Sequence, residues 1–434
     1  AFAYAGQYRE IRGETGGLAQ QGFPYALCRP ASRQRALFSP LDVCPKKRYT
    51  VTADGLRRGI GRIVSFMRIN VTRSSLPGFD EYVEEIRSLW DNHWLTNNGE
   101  KEVALQQALE ARLEIPNVRL FVNGHLALEA LLAAMNLHGQ VITTPFTFAS
   151  TTHAIVRKGL TPVFCDIREE DCTLNPDLLE SLITEDTCAI LPVHVYGRLC
   201  DVDGIERVAQ KYGLPVIYDA AHAFGVTKNG RTAASFGLAS MFSFHATKVF
   251  HTIEGGAVAT ASDELAARLA LERNYGITGP EDVVSVGGNA KMNEFQAAMG
   301  LCNLRHLGQD IACRREVHGW YLDGLDGVKG LRLPKPQPGV QSNYAYFPVL
   351  FDGGRASRDA VCAALARESV YARKYFYPLI TDFACYQGRP GFDSRLTPVA
   401  RQTSDSVATL PLYPELEKQD VQLICRVIRE ALHG

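Results

Sequence analysis

The chain has 434 residues, 46% of them hydrophobic and 21% charged, which is enough for two or three domains with large cores. Its 46 lysines and arginines nearly cancel its 47 aspartates and glutamates, so a formal charge of −1 gives no basis for bulk attraction to nucleic acid or membrane. No apolar run reaches the roughly 18 residues of a membrane span. The eleven cysteines form no CxxC pair and no zinc spacing, so no metal site is expected. Reduced thiols in a cytoplasmic protein are the expectation.

Residues 1–66 differ from the rest. They carry 11 basic and 4 acidic residues, show weak periodicity, and precede the first methionine, Met67. A disordered or non-native extension is expected there, with a basic anchor or targeting arm as the functional alternative. From 80 to 90 the pattern is helical, placing Val83, Ile86, Leu89 and Trp90 on one face. A turn-rich linker follows at 94–99. Strands are then predicted at 118–122, 140–143, 161–165, 188–193 and 215–219. Helices are predicted between them at 126–135, 151–158, 177–182 and 202–212. This alternation implies an α/β fold with a large, mostly parallel sheet covered by helices on both faces. Segments 242–244 and 256–259 read as later strands, and 293 to about 322 as one long helix or two in succession. Prolines 334, 336 and 338 mark an irregular stretch, after which a strand at 344–351 and a helix at 418–432 suggest a smaller α/β domain. The expected domains are 67–312 and 313–434.

The apolar strand candidate at 215–219 ends in Asp219, at the sheet edge where open parallel sheets bind ligands. Lys248 follows a turn that begins at Ser243 and precedes Glu254-Gly255-Gly256. This ordered pair is what pyridoxal phosphate chemistry requires. A lysine amine binds the cofactor aldehyde, and an aspartate keeps the pyridine nitrogen protonated so that the ring accepts electrons. The apolar, glycine-rich surroundings of Lys248 predict a desolvated, nucleophilic amine.

Other residues fit around this pair. Ser243 and its backbone neighbours offer donors for a phosphate, as do Gly124 and His125 at the start of a predicted helix. Phe148, after a strand, offers a ring to stack on the pyridine, with a core phenylalanine as the alternative. His222 is placed to hydrogen-bond the phenolic oxygen, unless it is a structural histidine. His194 ends a strand and is a candidate to line the site, with a purely structural role equally open. His245 has no assigned role. No GxGxxG follows a strand, which speaks against a nicotinamide dehydrogenase.

In order along the chain stand VNGHLALEAL, TTPFTFASTTHAI, LPVHVYG, VIYDAAHAFG, FSFHATKVFHTIEGG, GGNAKMNEFQAAMG and ARKYFYPL. Together they closely resemble the DegT/DnrJ/EryC1/StrS family of sugar aminotransferases, from about Met67 to the C-terminus. The resemblance implies a fold-type-I pyridoxal phosphate enzyme with a smaller C-terminal domain, acting as a homodimer with sites at the interface. It makes Lys248 the cofactor-linked lysine, Asp219 the pyridinium partner, Ser243 a phosphate ligand and Phe148 the stacking ring. His222 stands where glutamine is frequent. Asn289 matches an asparagine reaching the phosphate of the neighbouring subunit, and Tyr375 is a candidate on the substrate side.

Two departures stand out. Gly124-His125 replaces a usual Gly-Thr or Gly-Ser and loses a hydroxyl, which puts a side-chain role there in doubt. Lys291 stands where arginine is common. The segment LPGFDEYVEEIRSLWDNHWLTNNG further resembles members that aminate C4 of dTDP-4-keto-6-deoxyhexoses, with L-glutamate as the expected donor. A C3 keto sugar, a cyclitol or a non-catalytic regulatory role are the alternatives.

Overall fold

The computed structural model describes residues 68–433, and the extension expected at 1–66 lies outside the described residues. The central sheet runs in the order Asn117–Phe121, Gly256–Thr260, Ala239–Ser243, Ile217–Asp219. Bridges from Ile190 to Val216 and from Val193 to Asp219 continue it into Thr187–Ile190, Gln140–Thr143 and Thr161–Phe164. All neighbours are parallel except Gly256–Thr260, which is antiparallel to both of its partners. The reason is the lysine turn. The chain leaves Ala239–Ser243 at the carboxyl edge and re-enters the sheet at that same edge without a crossover helix, so the next strand must reverse.

Side chains along the strands alternate between two cores, as the period of two requires. Ile217, Met241 and Val258 pack with Leu128, Leu131 and Ile155 of the helices Gly124–Ala134 and Ala149–Arg157. Tyr218, Phe242 and Ala257 pack on the other face with Leu105, Leu109 and Ile205 of Glu100–Leu113 and Val202–Tyr212. Burial on both faces explains why these strands read as continuous apolar runs.

A further core forms around Phe347–Phe351, which pairs antiparallel with Val407–Leu410 and Leu331–Arg332, beneath Gly354–Arg367 and Lys418–His433. One uninterrupted helix, Glu294–Leu325, serves both cores: Ala297 and Leu307 join the first, Val317, Tyr321 and Leu325 the second. A boundary at 312/313 therefore falls inside a helix. Ile69 also joins the second core, where Ile69–Asn70 pairs with Val370–Tyr371, so the stretch 67–312 is not one structural piece.

Local differences from the sequence expectations have simple causes. The helix expected at 80–90 breaks into Phe79–Ile86 and Leu89–Asn92; Leu89 is buried, while Trp90 stays largely exposed. The helix Glu100–Leu113 follows directly on the linker and was not foreseen, because charged residues interrupt its apolar positions Leu105, Leu109 and Leu113. The strand expected at 344–351 begins only at Phe347, because residues 343–346 turn toward the cavity at the sheet edge. No helix among the described residues is long and apolar enough to cross a membrane.

Candidate active site

Asp219 is the last residue of its strand and is buried. Its Oδ2 accepts a hydrogen bond from the Thr151 hydroxyl at 2.7 Å, and its Oδ1 accepts from the Ala221 amide at 3.1 Å. The Thr147 and Thr151 hydroxyls lie 3.0 Å apart, which steadies the donor. Burial pushes the Asp219 carboxyl above its usual range, while Thr151, the Ala221 amide and the charge of Lys248 pull it back down.

The lysine turn is pinned by its own backbone. The Phe244 amide donates to the Gly255 carbonyl at 2.8 Å, Thr252 to Phe244 at 2.9 Å, and Lys248 to His245 at 2.9 Å. Desolvation pushes the Lys248 amine down to about 8 against the opposing pull of Asp219. Near neutrality a useful share of this amine is therefore unprotonated and nucleophilic. A small cavity lies against Lys248, lined also by His222, Ser243, Thr247, Asn343 and Tyr346.

Ser243 ends the neighbouring strand and meets the start of the helix Gly124–Ala134. A Cβ on Gly124 would come within 2.9 Å of the Ser243 Cβ, and one on Gly256 within 2.6 Å of the Gly124 backbone. Glycine is thus required for this close approach. The Asn123 side chain caps the helix by accepting from the Leu126 amide at 2.8 Å. The amides of Gly124 and His125 have no protein acceptor among the described residues. A helix start with free amides beside a serine hydroxyl suits a phosphate.

His222 is buried, and its Nδ1 accepts a hydrogen bond from the Tyr196 amide at 3.1 Å. Burial drives its pKa well below the usual range. The ring is therefore neutral with its proton on Nε2, which makes that atom a fixed donor. Asn343 sets the loop behind it, donating to the carbonyls of His222 at 2.8 Å and Phe224 at 2.9 Å. Tyr346 packs edge-on against the His222 ring at 4.9 Å. Burial pushes the Tyr346 hydroxyl up to about 12.

Phe148 is 62% exposed, immediately before the helix Ala149–Arg157, so it is not a core residue. Phe146 fills that place instead, fully buried against Tyr196 and Phe376. Tyr375 is half-buried, stacks on Phe376 at 5.4 Å and touches Tyr346 edge-on at 6.1 Å. Asn289 is exposed, and Lys291 Nζ donates to its Oδ1 at 2.8 Å. His245 is exposed and bonded to Thr247 at 2.9 Å.

Of the two roles left open for His194, the packing favours the structural one. Its ring is fully buried and stacks on Tyr218 at 4.6 Å, and successive strand residues face opposite ways, so it lies on the far side from the Asp219 carboxylate. The Cys200 amide donates to its Nδ1 at 3.1 Å, and burial pushes it down to about 3. Thr151, Tyr196, Asn343 and Tyr346 were missed. Thr151 had a signal, one helical turn beyond Phe148 in the same motif. Tyr196 also stood in a motif, LPVHVYG, whereas Asn343 and Tyr346 are brought in only by tertiary packing.

These groups fit pyridoxal phosphate. The carboxylate could pair with the ring nitrogen, the fixed N–H of His222 with the phenolic oxygen, the amine with the aldehyde, and the helix start at Gly124 with the phosphate. Residues 79–429 match the DegT/DnrJ/EryC1/StrS aminotransferase family. The chain is 37% identical over 362 residues to a dTDP-4-amino-4,6-dideoxy-D-glucose transaminase of Escherichia coli, covering 83% of this chain and 98% of that one. It is 38% identical over 363 residues to the same-named enzyme of Shigella dysenteriae, covering 83% and 98%. A crystal structure of DesI in the presence of its TDP-sugar product superposes with a TM-score of 0.80 at 33% identity, covering 85% of this chain and 94% of that chain. The chain belongs to this family and is a pyridoxal phosphate-dependent sugar aminotransferase.

Proposed function

We propose that this member of the family moves an amino group from L-glutamate to C4 of a dTDP-linked 4-keto-6-deoxyhexose. The observation that carries this reading is the Lys248–Asp219 pair at the carboxyl edge, in a chain whose likeness to dTDP-4-amino-4,6-dideoxy-D-glucose transaminases covers 83% of this chain and 98% of theirs. When bound, pyridoxal phosphate carries the amino group between the two substrates and withdraws the electron pair left as a C–H bond breaks.

The protein's own residues perform the remaining work. Asp219, oriented by Thr151 and the Ala221 amide, holds a proton on the ring nitrogen through a charge-assisted hydrogen bond. The Nε2–H of His222 donates to the phenolic oxygen, in the tautomer that the Tyr196 amide selects. Ser243 and the amides at Gly124 would hold the phosphate, and Phe148 would stack on the ring. The Lys248 amine would hold the cofactor through its aldehyde, and when free it would serve as the base that moves a proton at the substrate carbon. Its lowered pKa suits both roles.

The enzyme acts as a homodimer in this reading, with Asn289 reaching the phosphate of the neighbouring subunit. Its exposure, with its side chain held only by Lys291 among the described residues, supports that assignment. The test is turnover with glutamate on isomeric keto sugars. Amination at C4 of the dTDP sugar supports the proposal, and exclusive use of a C3 keto sugar or a cyclitol refutes it. Ping-pong kinetics are expected, because the donor must leave before the sugar binds.

A further inference from the structure

The irregular, proline-marked stretch from Pro334 to Ser342 has no part in the chemistry proposed above, yet it walls a second cavity. This cavity has a volume of about 300 Å³, enough for a small organic molecule. It is separate from the cavity at Lys248. Ser342 and Tyr344 line the one, Asn343, Ala345 and Tyr346 line the other, and the two share no residue. The wall is clipped in place from across the chain. Arg198 Nη1 donates to the Lys335 carbonyl at 2.8 Å. The Leu199 amide donates to Gln337 Oε1 at 3.0 Å, and Gln337 Nε2 donates back to the Leu199 carbonyl at 2.8 Å. The helix Glu294–Leu325 completes the lining with Arg315, His318, Gly319 and Leu322.

The lining carries charge of one sign. Arg198, Arg315 and Lys335 face the cavity, and no aspartate or glutamate does. Among the described residues none of these three cations forms a salt bridge with a side chain. Asp171 and Glu170 pull on Arg198 from nearby, but both pair with Arg168. Burial outweighs their pull and lowers the pKa of Arg198, whose Nε is buried without a partner among the described residues. A partly desolvated guanidinium without a counter-ion is unfavourable until an anion joins it, and its planar fork matches a phosphate. Beside the charges lies an apolar part. Burial, helped by the Arg198 charge, pushes His318 down to about 4, so its ring is neutral near pH 7. That ring meets Tyr344 edge-on at 5.2 Å, and Leu322 and Val340 add aliphatic surface.

We propose that this cavity is a second binding site, which takes a small phosphate monoester with an aromatic or apolar body. Arg198, Arg315 and Lys335 hold the phosphate, and Tyr344, Leu322 and Val340 hold the body.

The test is calorimetric titration of the cofactor-loaded enzyme with phenyl phosphate, and separately with its two halves, inorganic phosphate and phenol. Phenyl phosphate is expected to bind saturably, one per chain, and more tightly than either half. Arg198→Gln is expected to weaken it about tenfold or more, as for a lost hydrogen bond to a charged group. Gly319 lies within a helix, and a Cβ there would meet nothing within 4 Å. Gly319→Leu therefore suits the helix, fills the cavity and is expected to abolish binding. Neither variant should change transaminase turnover in the absence of phenyl phosphate. No saturable binding to the parent protein would overturn the proposal. So would parental affinity in Arg198→Gln or Gly319→Leu, which would place the phosphate elsewhere on the enzyme. Inorganic phosphate binding as tightly as phenyl phosphate would overturn the part assigned to Tyr344, Leu322 and Val340.

Discussion

Two sides of the site differ in how their residues are held. Asp219, His222 and Asn343 form a buried wall in which the polar groups find partners within the same chain: Thr151 and Ala221 for Asp219, the Tyr196 amide for His222, two carbonyls and the Ala345 amide for Asn343. Phe148, 62% exposed, and the exposed Asn289, which is proposed to serve the neighbouring subunit, make up an open rim by contrast. The wall sets charge and protonation, where desolvation makes each hydrogen bond count. In the proposed dimer the rim would supply contact area. Substitutions in the wall should therefore change the chemistry, and substitutions in the rim should change binding.

The largest effect is expected at the lysine that faces the wall. Lys248→Ala should lower glutamate-dependent turnover by about 10⁴-fold or more, the upper range for a lost acid–base group, with the circular dichroism spectrum unchanged. Appreciable turnover would remove Lys248 from its role. Asp219→Asn should come next. It keeps the shape but loses the charge, and a fall of about 10²–10³-fold in kcat is expected, with cofactor still bound.

The lowered pKa of Lys248 gives a pH test with a definite sign. The unprotonated amine is the nucleophile, so capture of the cofactor by the cofactor-free protein should speed up with rising pH and level off above about 8. A midpoint near the usual lysine range would mean that the amine is not desolvated in solution.

At the rim, Asn289→Ala should weaken cofactor affinity by about tenfold with kcat nearly unchanged. Mixed with Lys248→Ala subunits, it should form dimers in which one site regains both functions, if Asn289 serves the neighbouring subunit. The smallest effect is expected for Phe148→Ala, about two- to tenfold in cofactor affinity for a lost stacking contact. A large loss of kcat there would blur the division between wall and rim.

The wall and the rim were also unequally legible in the sequence. Asp219, Lys248, Ser243 and Gly124 stand at strand ends or tight turns, where apolar runs stop and glycine or polar residues begin, and the structure brings them together at one edge. The helix Glu100–Leu113 was hidden because glutamates and glutamines dilute its apolar face. His194 was left with two roles because a strand-ending histidine can face either side of the sheet, and only the packing against Tyr218 decides which. Asn343 and Tyr346 reach the cavity from an irregular stretch more than a hundred residues away from Asp219, with no local pattern to announce them. The antiparallel strand Gly256–Thr260 follows from the lysine turn but leaves no mark in composition.

The most direct measurement is the absorption spectrum of the purified protein with pyridoxal phosphate, before and after L-glutamate, alongside Lys248→Ala. The parent protein is expected to show the visible band of lysine-bound cofactor and to lose it on adding glutamate as the cofactor becomes aminated, while the variant shows no such band. A parent protein without the band, or a band that Lys248→Ala retains, would contradict the assignment of Lys248. A band indifferent to glutamate would contradict the proposed donor.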